Sequence, residues 1–219
     1  MAFKGWGVLA ILRGDKYVTR RLVTRANSLV DGSSASKEHW ATLDWSTARI
    51  NKGPSPSGNE GPYWKVDTNV NDPGWWRTTH RVYPRHWAGD ELVMCEGLYM
   101  YAGAPGFAAY RADESACVKK WCGPKIRELH EWRWKTSTLS PRFMPSAMSR
   151  ATLPLVSVTP SIVQVDMDDE EALREGVMPD EITTPLEAFV KVWREIHGDD
   201  SWDDCTPTWR YEWKPNEGG

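Results

Sequence analysis

The chain has 219 residues, with 27 Lys/Arg against 30 Asp/Glu for a net charge of -3, and 40% of its residues are hydrophobic. That length can bury a core as one domain spanning 1–219 without disulfides or metals, and that charge excludes a protein coated in basic residues for non-specific duplex binding. The four cysteines lack the dense pattern of a secreted disulfide scaffold, and the apolar run 5–12 is too short to span a bilayer, so reduced thiols, a cytoplasmic location and no membrane contact are expected.

Val8, Leu9, Ile11 and Leu12 have the spacing of a short helix that Gly14 stops, which puts Lys16-Tyr17-Val18-Thr19 at the helix exit. Thr19 to Val23 begins a strand. The prolines and glycines of 51–62 argue against regular structure, so about 31–86 reads as a loop-rich insertion. Its Tyr63-Trp64, Trp75-Trp76-Arg77 and His80-Arg81 mix aromatics with cations, which suits either stacking on single-stranded nucleic acid or pinning a long loop to the domain; without a regular spacing, pinning is favoured.

Glu91 to Glu96 is a strand candidate, and Glu96 either decorates a polar face or points into a pocket. A second excursion, about 101–130, holds Cys117 and Cys122 at a spacing that zinc tolerates, but a second ligand pair is missing and neither metal nor cofactor is expected. Glu131 to Lys135 alternates as a strand with Trp132 and Trp134 on one face, most simply for core packing. Residues 150–165 read as one long or two short strands, with Pro154 at an edge or bulge.

Asp168 caps a short acidic helix that Gly176 ends, and Thr184-Pro185-Leu186-Glu187 supplies N-cap, N1 proline and capping-box glutamate for an amphipathic helix closed by Gly198. Trp209 to Lys214 alternates strictly, as a half-buried strand does. Strands at both ends with helices between them predict an α+β fold with a mixed or antiparallel sheet able to close into a small barrel.

The site candidate is the stretch from Lys16 to Arg21, which places an amine, a hydroxyl and two guanidiniums close together. Threonine can be a nucleophile and lysine its base, although an isolated Lys-x-x-Thr is more simply a solvated basic turn. The first 30 residues hold six Lys/Arg against Asp15, a local +5, whereas from Asp166 onward 16 acids face 5 bases, a local -11. The basic end can meet a phosphate or nucleobase, or it can pair with the acidic half. No P-loop, dinucleotide fingerprint, nucleophile elbow or paired-histidine motif is present.

Gly14, Lys16, Thr19, Arg20 and Arg21; Gly89, Asp90, Leu92 and Glu96; Met144, Pro145, Ser149 and Arg150; Glu171, Ala172, Glu175, Gly176 and Val177; and Ser201, Trp202 and Asp203 follow one another in an order that resembles the ASCH domains of the PUA-like superfamily, phage and prophage type. The pattern departs at Tyr17, Ala88 and Ser146. The resemblance covers both ends and the middle, and leaves 31–86 and 101–130 as insertions.

It implies a small PUA-like β-barrel flanked by helices, and two functional classes. One is an amidohydrolase similar to the small bacterial enzymes that cleave N4-acetylcytidine, with Lys16, Thr19 and Glu175 as catalytic residues. The other is an RNA- or ssDNA-binding module without chemistry. Arg20, Arg21 and Glu96 are the candidate substrate-binding residues, and a modified nucleoside or modified nucleic acid is the expected partner. The oligomeric state is not legible in the chain.

Overall fold

A computed structural model describes all residues except 2, 55–57, 59, 69–77, 104–105, 122–126, 203–204 and 216–219. In chain order it contains helix α1 (Gly5–Arg13), strands β1 (Val18–Leu22) and β2 (Ser28–Val30), and helix α2 (Lys37–Ala41). Strands β3 (Leu43–Pro54), β4 (Glu60–Thr68), β5 (Thr79–Pro84), β6 (Glu91–Val93), β7 (Leu98–Met100) and β8 (Ala108–Tyr110) follow. Then come β9 (Val118–Trp121), β10 (Arg127–Leu129), β11 (Thr138–Leu139) and β12 (Thr152–Ile162). Helices α3 (Val163–Asp166), α4 (Asp169–Arg174) and α5 (Pro185–His197) precede the last strand, β13 (Pro207–Trp213). The fold is α+β, with strands predominating. No helix among the described residues is long and apolar enough to cross a membrane.

The chain forms two compact units, one of Met1–Tyr17, Glu91–Pro154 and Lys214–Gly219, the other of Val18–Asp90 and Leu155–Trp213. In the first, α1 ends where Gly14 adopts a left-handed φ of 84° and its N–H returns to the helix, a conformation that glycine reaches without a Cβ clash. The helix buries Val8, Ala10 and Ile11. Residues 152–154 pair antiparallel with β6, and β7 pairs with both β8 and β11 over a core of Leu98, Ala108, Tyr110, Cys117, Leu139 and Met148.

The second unit contains an antiparallel ladder in which β13 lies between β1 and residues 155–162 of β12. Its other sheet runs β2-β5-β4-β3. Two indoles join the sheets: Trp64 Nε1 donates to the Thr208 carbonyl at 3.2 Å, and Trp209 Nε1 donates to Ser28 Oγ at 2.9 Å. Helix α5 carries the capping box of Thr184 and Glu187 and packs Phe189 and Trp193 against Val163, Met167 and Ala172.

Several sequence expectations need correcting. The region 31–86 is not loop-rich: β3 and β4 form a long hairpin whose ladder runs through Lys52↔Pro62 to Pro54↔Glu60. The prolines are tolerated because β3 is an edge strand and Pro62 lies in the part of β4 beyond its pairing with β5, so the missing N–H breaks no central ladder. Residues 163–166 are helical rather than extended, because Asp166 accepts from the Ile162 N–H and closes a turn.

Glu131 to Lys135 is not a strand, since Trp132 Nε1 bonds the Thr136 carbonyl and curls the segment back, though Trp132 and Trp134 do pack on the core. The strand at Glu91 stops at Val93, short of Glu96. Cys117 is buried, and burial pushes its thiol up to about 12; Cys122, Trp75, Trp76 and Arg77 lie outside the described residues.

Trp64→Ala should cost about 3–5 kcal/mol of stability in urea unfolding, since it empties a fully buried indole site and strips the Thr208 carbonyl of its donor. A loss under about 1 kcal/mol would show that this indole does not hold the sheets of the second unit together.

Candidate active site

Alternation along β1 sorts the candidate residues onto two faces. Thr19 and Arg21 stand abreast of Tyr211 and Trp209, whereas Arg20 stands abreast of Arg210 and points the other way. On that second face lies α4, whose start is set by Asp168, which accepts from the Glu171 N–H. Four residues after Glu171 the chain leaves the helix at Glu175, and Gly176 takes the left-handed φ of 75° that ends it.

Glu171 is the hub. Its Oε2 accepts from Arg20 at 2.9 Å and from Arg210 Nε at 3.0 Å, while its Oε1 accepts from Arg210 Nη2 at 3.0 Å and from Arg174. Glu212 completes the set by taking bonds at 2.6 Å from both Arg174 and Arg210. Burial by itself would raise the Glu171 carboxyl, but bonds and charge from Arg210, then Arg20, outweigh it and hold the group at about 2.

Arg20 is spent in this arrangement. It also donates to Ser161 Oγ at 3.2 Å and to the Asp166 carbonyl at 3.3 Å, and it pairs with Glu175 at 3.5 Å. Glu175, 4% exposed, also acts on Arg21, whose guanidinium is lowered by burial against the raising charges of Glu175 and Tyr211. Glu175 thus pairs with Arg20 and acts electrostatically on Arg21, its neighbour on β1, which is the outer strand of the ladder.

Thr19 is 5% exposed, and among the described residues its hydroxyl makes no side-chain hydrogen bond. A hydroxyl whose proton and lone pairs are not committed to the protein is a chemically available one. Opposite it, burial outweighs the lowering charge of Arg21 and raises the Tyr211 phenol to about 12, so Tyr211 stays neutral near pH 7. Thr19, Arg20, Arg21 and Glu175 all belong to the second unit.

Lys16 belongs to the first unit, where it is 3% exposed with its ammonium 5.8 Å from the centroid of the Trp6 ring. Glu96 is also there. Both its oxygens accept from Arg150 at 2.8 Å, and Arg150 bonds Asp113 at 2.6 Å and lies 4.2 Å from the Tyr110 ring centroid. Burial raises the Glu96 carboxyl and Arg150 opposes it. The sequence reading missed Arg210, Glu212 and Arg174 as partners. The only signal was the alternation of 209–214, which marked Arg210 and Glu212 as one face without saying what covers it.

A separate cleft of about 580 Å³ in the second unit opens between the β3 irregularity at Trp45–Ala48 and Cys205–Pro207, floored by Trp64. Neither Thr19 nor Glu175 lines it.

Glu171→Gln should destabilise the protein by about 3–5 kcal/mol at pH 7, because it leaves buried guanidiniums uncompensated. With the folded carboxyl at about 2, the stability that Glu171 supplies is complete above its unfolded value near 4.3 and is lost as pH falls toward 2. Urea midpoints between pH 6 and pH 2 should therefore converge for variant and parent at the acid end; parallel curves would remove Glu171 as the acid-labile group. Comparison with known protein families, with curated proteins and with solved structures finds no match.

Proposed function

We propose that the protein is an amidohydrolase of the ASCH, PUA-like type that removes an acyl group from N4 of an acylated cytidine or a related modified nucleobase in the cytoplasm. The observation that carries this reading is the Thr19 hydroxyl, which makes no side-chain hydrogen bond among the described residues, in the unit that also buries Glu175. Supporting it is the division of labour between the two arginines. Arg20 is committed to Glu171 and fixes Glu175, whereas Arg21 shares the face of Thr19 and supplies the positive charge that a developing oxyanion needs.

In this scheme Thr19 Oγ, or a water that it orients, attacks the acyl carbon. For the base that takes its proton, the resemblance offers Lys16, three residues before Thr19 in the chain. The C–N bond then breaks as a proton is delivered to N4 through Glu175. Where Thr19 Oγ is the nucleophile, the acyl group is left as an ester on it, and a water then adds to the acyl carbon, breaks the ester C–O bond and returns the proton to Oγ; by either route one water is consumed, and the products are the exocyclic amine and a carboxylate. The tryptophan-rich stretch lends less to a non-catalytic nucleic-acid module, because the indole of Trp64 is fully buried and offers no surface for a base.

Purified protein incubated with N4-acetylcytidine should release cytidine, followed by chromatography. Thr19→Val and Glu175→Gln should each lower kcat/KM by at least about 100-fold, the scale of a lost nucleophile or proton carrier, with unchanged circular dichroism. Lys16→Ala should abolish turnover. An absence of turnover across a panel of acyl cytidines would overturn the assignment, and so would full activity in Thr19→Val.

A further inference from the structure

We propose that His39 and His80 hold a divalent transition-metal ion of the nickel, copper and zinc class, with Asp31 fixing the orientation of His80. The three residues come from separate parts of the second unit: Asp31 follows β2, His39 lies in α2 and His80 lies in β5. Among the described residues no group of three or more His, Cys, Asp or Glu is placed to hold a metal, so this is a site of two protein ligands whose remaining positions fall to water or an external donor.

Asp31 is clamped to β5. Its φ of 48° is left-handed, a conformation that aspartate adopts more readily than most residues. Its N–H donates to the Arg81 carbonyl at 2.8 Å, and its Oδ1 accepts from the Arg81 N–H at 2.9 Å. Its Oδ2 then accepts from His80 Nδ1 at 2.6 Å. A carboxylate only accepts, so Nδ1 carries the proton, and the lone pair of the neutral ring lies on Nε2. Metal-ligating histidines use this carboxylate–imidazole arrangement to fix the tautomer and ring direction and to make the ligating nitrogen more basic.

His80 stands opposite Val66 and on the same side of β5 as the buried Val82, and its side chain is 13% exposed. The His39 ring lies beside it, 4.9 Å away between centroids and at 71° between planes. Two imidazoles bound to one ion through metal–nitrogen bonds of about 2.0 Å, at angles from square to tetrahedral, hold their centroids about 4.5–5 Å apart. Parallel rings share no in-plane point where two lone pairs could meet, whereas rings at this angle do. The His39 backbone is fixed, its N–H donating to Ser36 Oγ at 3.1 Å and its carbonyl accepting from Thr42 Oγ1 at 2.8 Å. Among the described residues no hydrogen bond engages its ring.

Imidazole nitrogens favour nickel, copper and zinc over magnesium and calcium, which demand oxygen donors. The nearby guanidiniums are engaged elsewhere: Arg81 lies over the Tyr63 ring, Arg25 donates to the Ala35 carbonyl, and Arg85 donates to Ser34 Oγ. The Asp31 carboxylate supplies the adjacent negative charge. The cysteine spacing that speaks against zinc at Cys117 has no bearing on this pair, which only the fold brings together. The inference does not rest on the hydrolase reading.

The test is isothermal titration calorimetry of the full chain with Ni²⁺ and, separately, Zn²⁺ in a non-coordinating buffer. Saturable binding of one ion is expected, with none for Mg²⁺. Asp31→Asn, which keeps both ligands, should weaken it about 10-fold, the scale of a lost outer partner. His39→Gln and His80→Gln should each cost more, since a single imidazole remains, whereas His86→Ala and Cys205→Ser should change nothing. Ni²⁺ should also raise the thermal midpoint of the parent but not that of His39→Gln, whose metal-free midpoint should match the parent's, which separates lost binding from lost folding. Absence of saturable binding, affinity unchanged in His39→Gln and His80→Gln, or binding lost in Cys205→Ser would overturn the proposal.

Discussion

The carboxylate of Glu171 is shared by three guanidiniums, those of Arg20, Arg174 and Arg210, and the candidate catalytic geometry of the second unit depends on that sharing. Helix α4 is only six residues long, too short to be stable on propensity alone. Its N-terminus is fixed by Asp168 and its underside by the apolar contact of Ala172 with Val163, Phe189 and Trp193. The ion cluster then locks α4 onto one face of β1 and β13. A network in which every charge is bonded can repay its desolvation, whereas a half-satisfied one cannot, so its members are expected to be unforgiving of single changes. Glu175 inherits its place from this lock, one residue past the end of the helix.

The first unit solves the same problem with a smaller set. Arg150 meets Glu96 in a bidentate fork, reaches Asp113, and covers the Tyr110 ring, while the Tyr110 hydroxyl bonds the Met148 carbonyl. Every strong donor of the guanidinium has an acceptor or an aromatic face. Glu96, read as a substrate-binding candidate, thus has both oxygens engaged by one arginine, and its chemistry in this unit is that of a strut. In the second unit the indoles of Trp64 and Trp209 act similarly, each spending its single donor on the neighbouring sheet.

Much of the local structure was legible in the chain. Gly14, the Asp168 cap, Gly176, the Thr184–Glu187 box and Gly198 mark real helix ends because capping depends on residues within a few positions of one another. The alternation of 209–214 was legible for the same reason. The β3–β4 hairpin was not: its proline and glycine content suggested a loop, and only pairing with a partner strand makes those residues extended. Trp132 alternates correctly yet bends away, because its own indole finds a nearer carbonyl.

By itself, then, the sequence determined where helices start and stop, which strands are half-buried, and that Lys16, Thr19, Arg20 and Arg21 crowd one short stretch. It could not determine that Arg20 and Arg21 part to opposite faces with different employers, that Glu171 rather than Glu175 is the hub, or that Asp31 and His39 meet at His80. Those outcomes depend on strand register and on which charge meets which across tens of residues. A shift of one residue in register would exchange the faces of every side chain on the strand, so only the folded arrangement decides them.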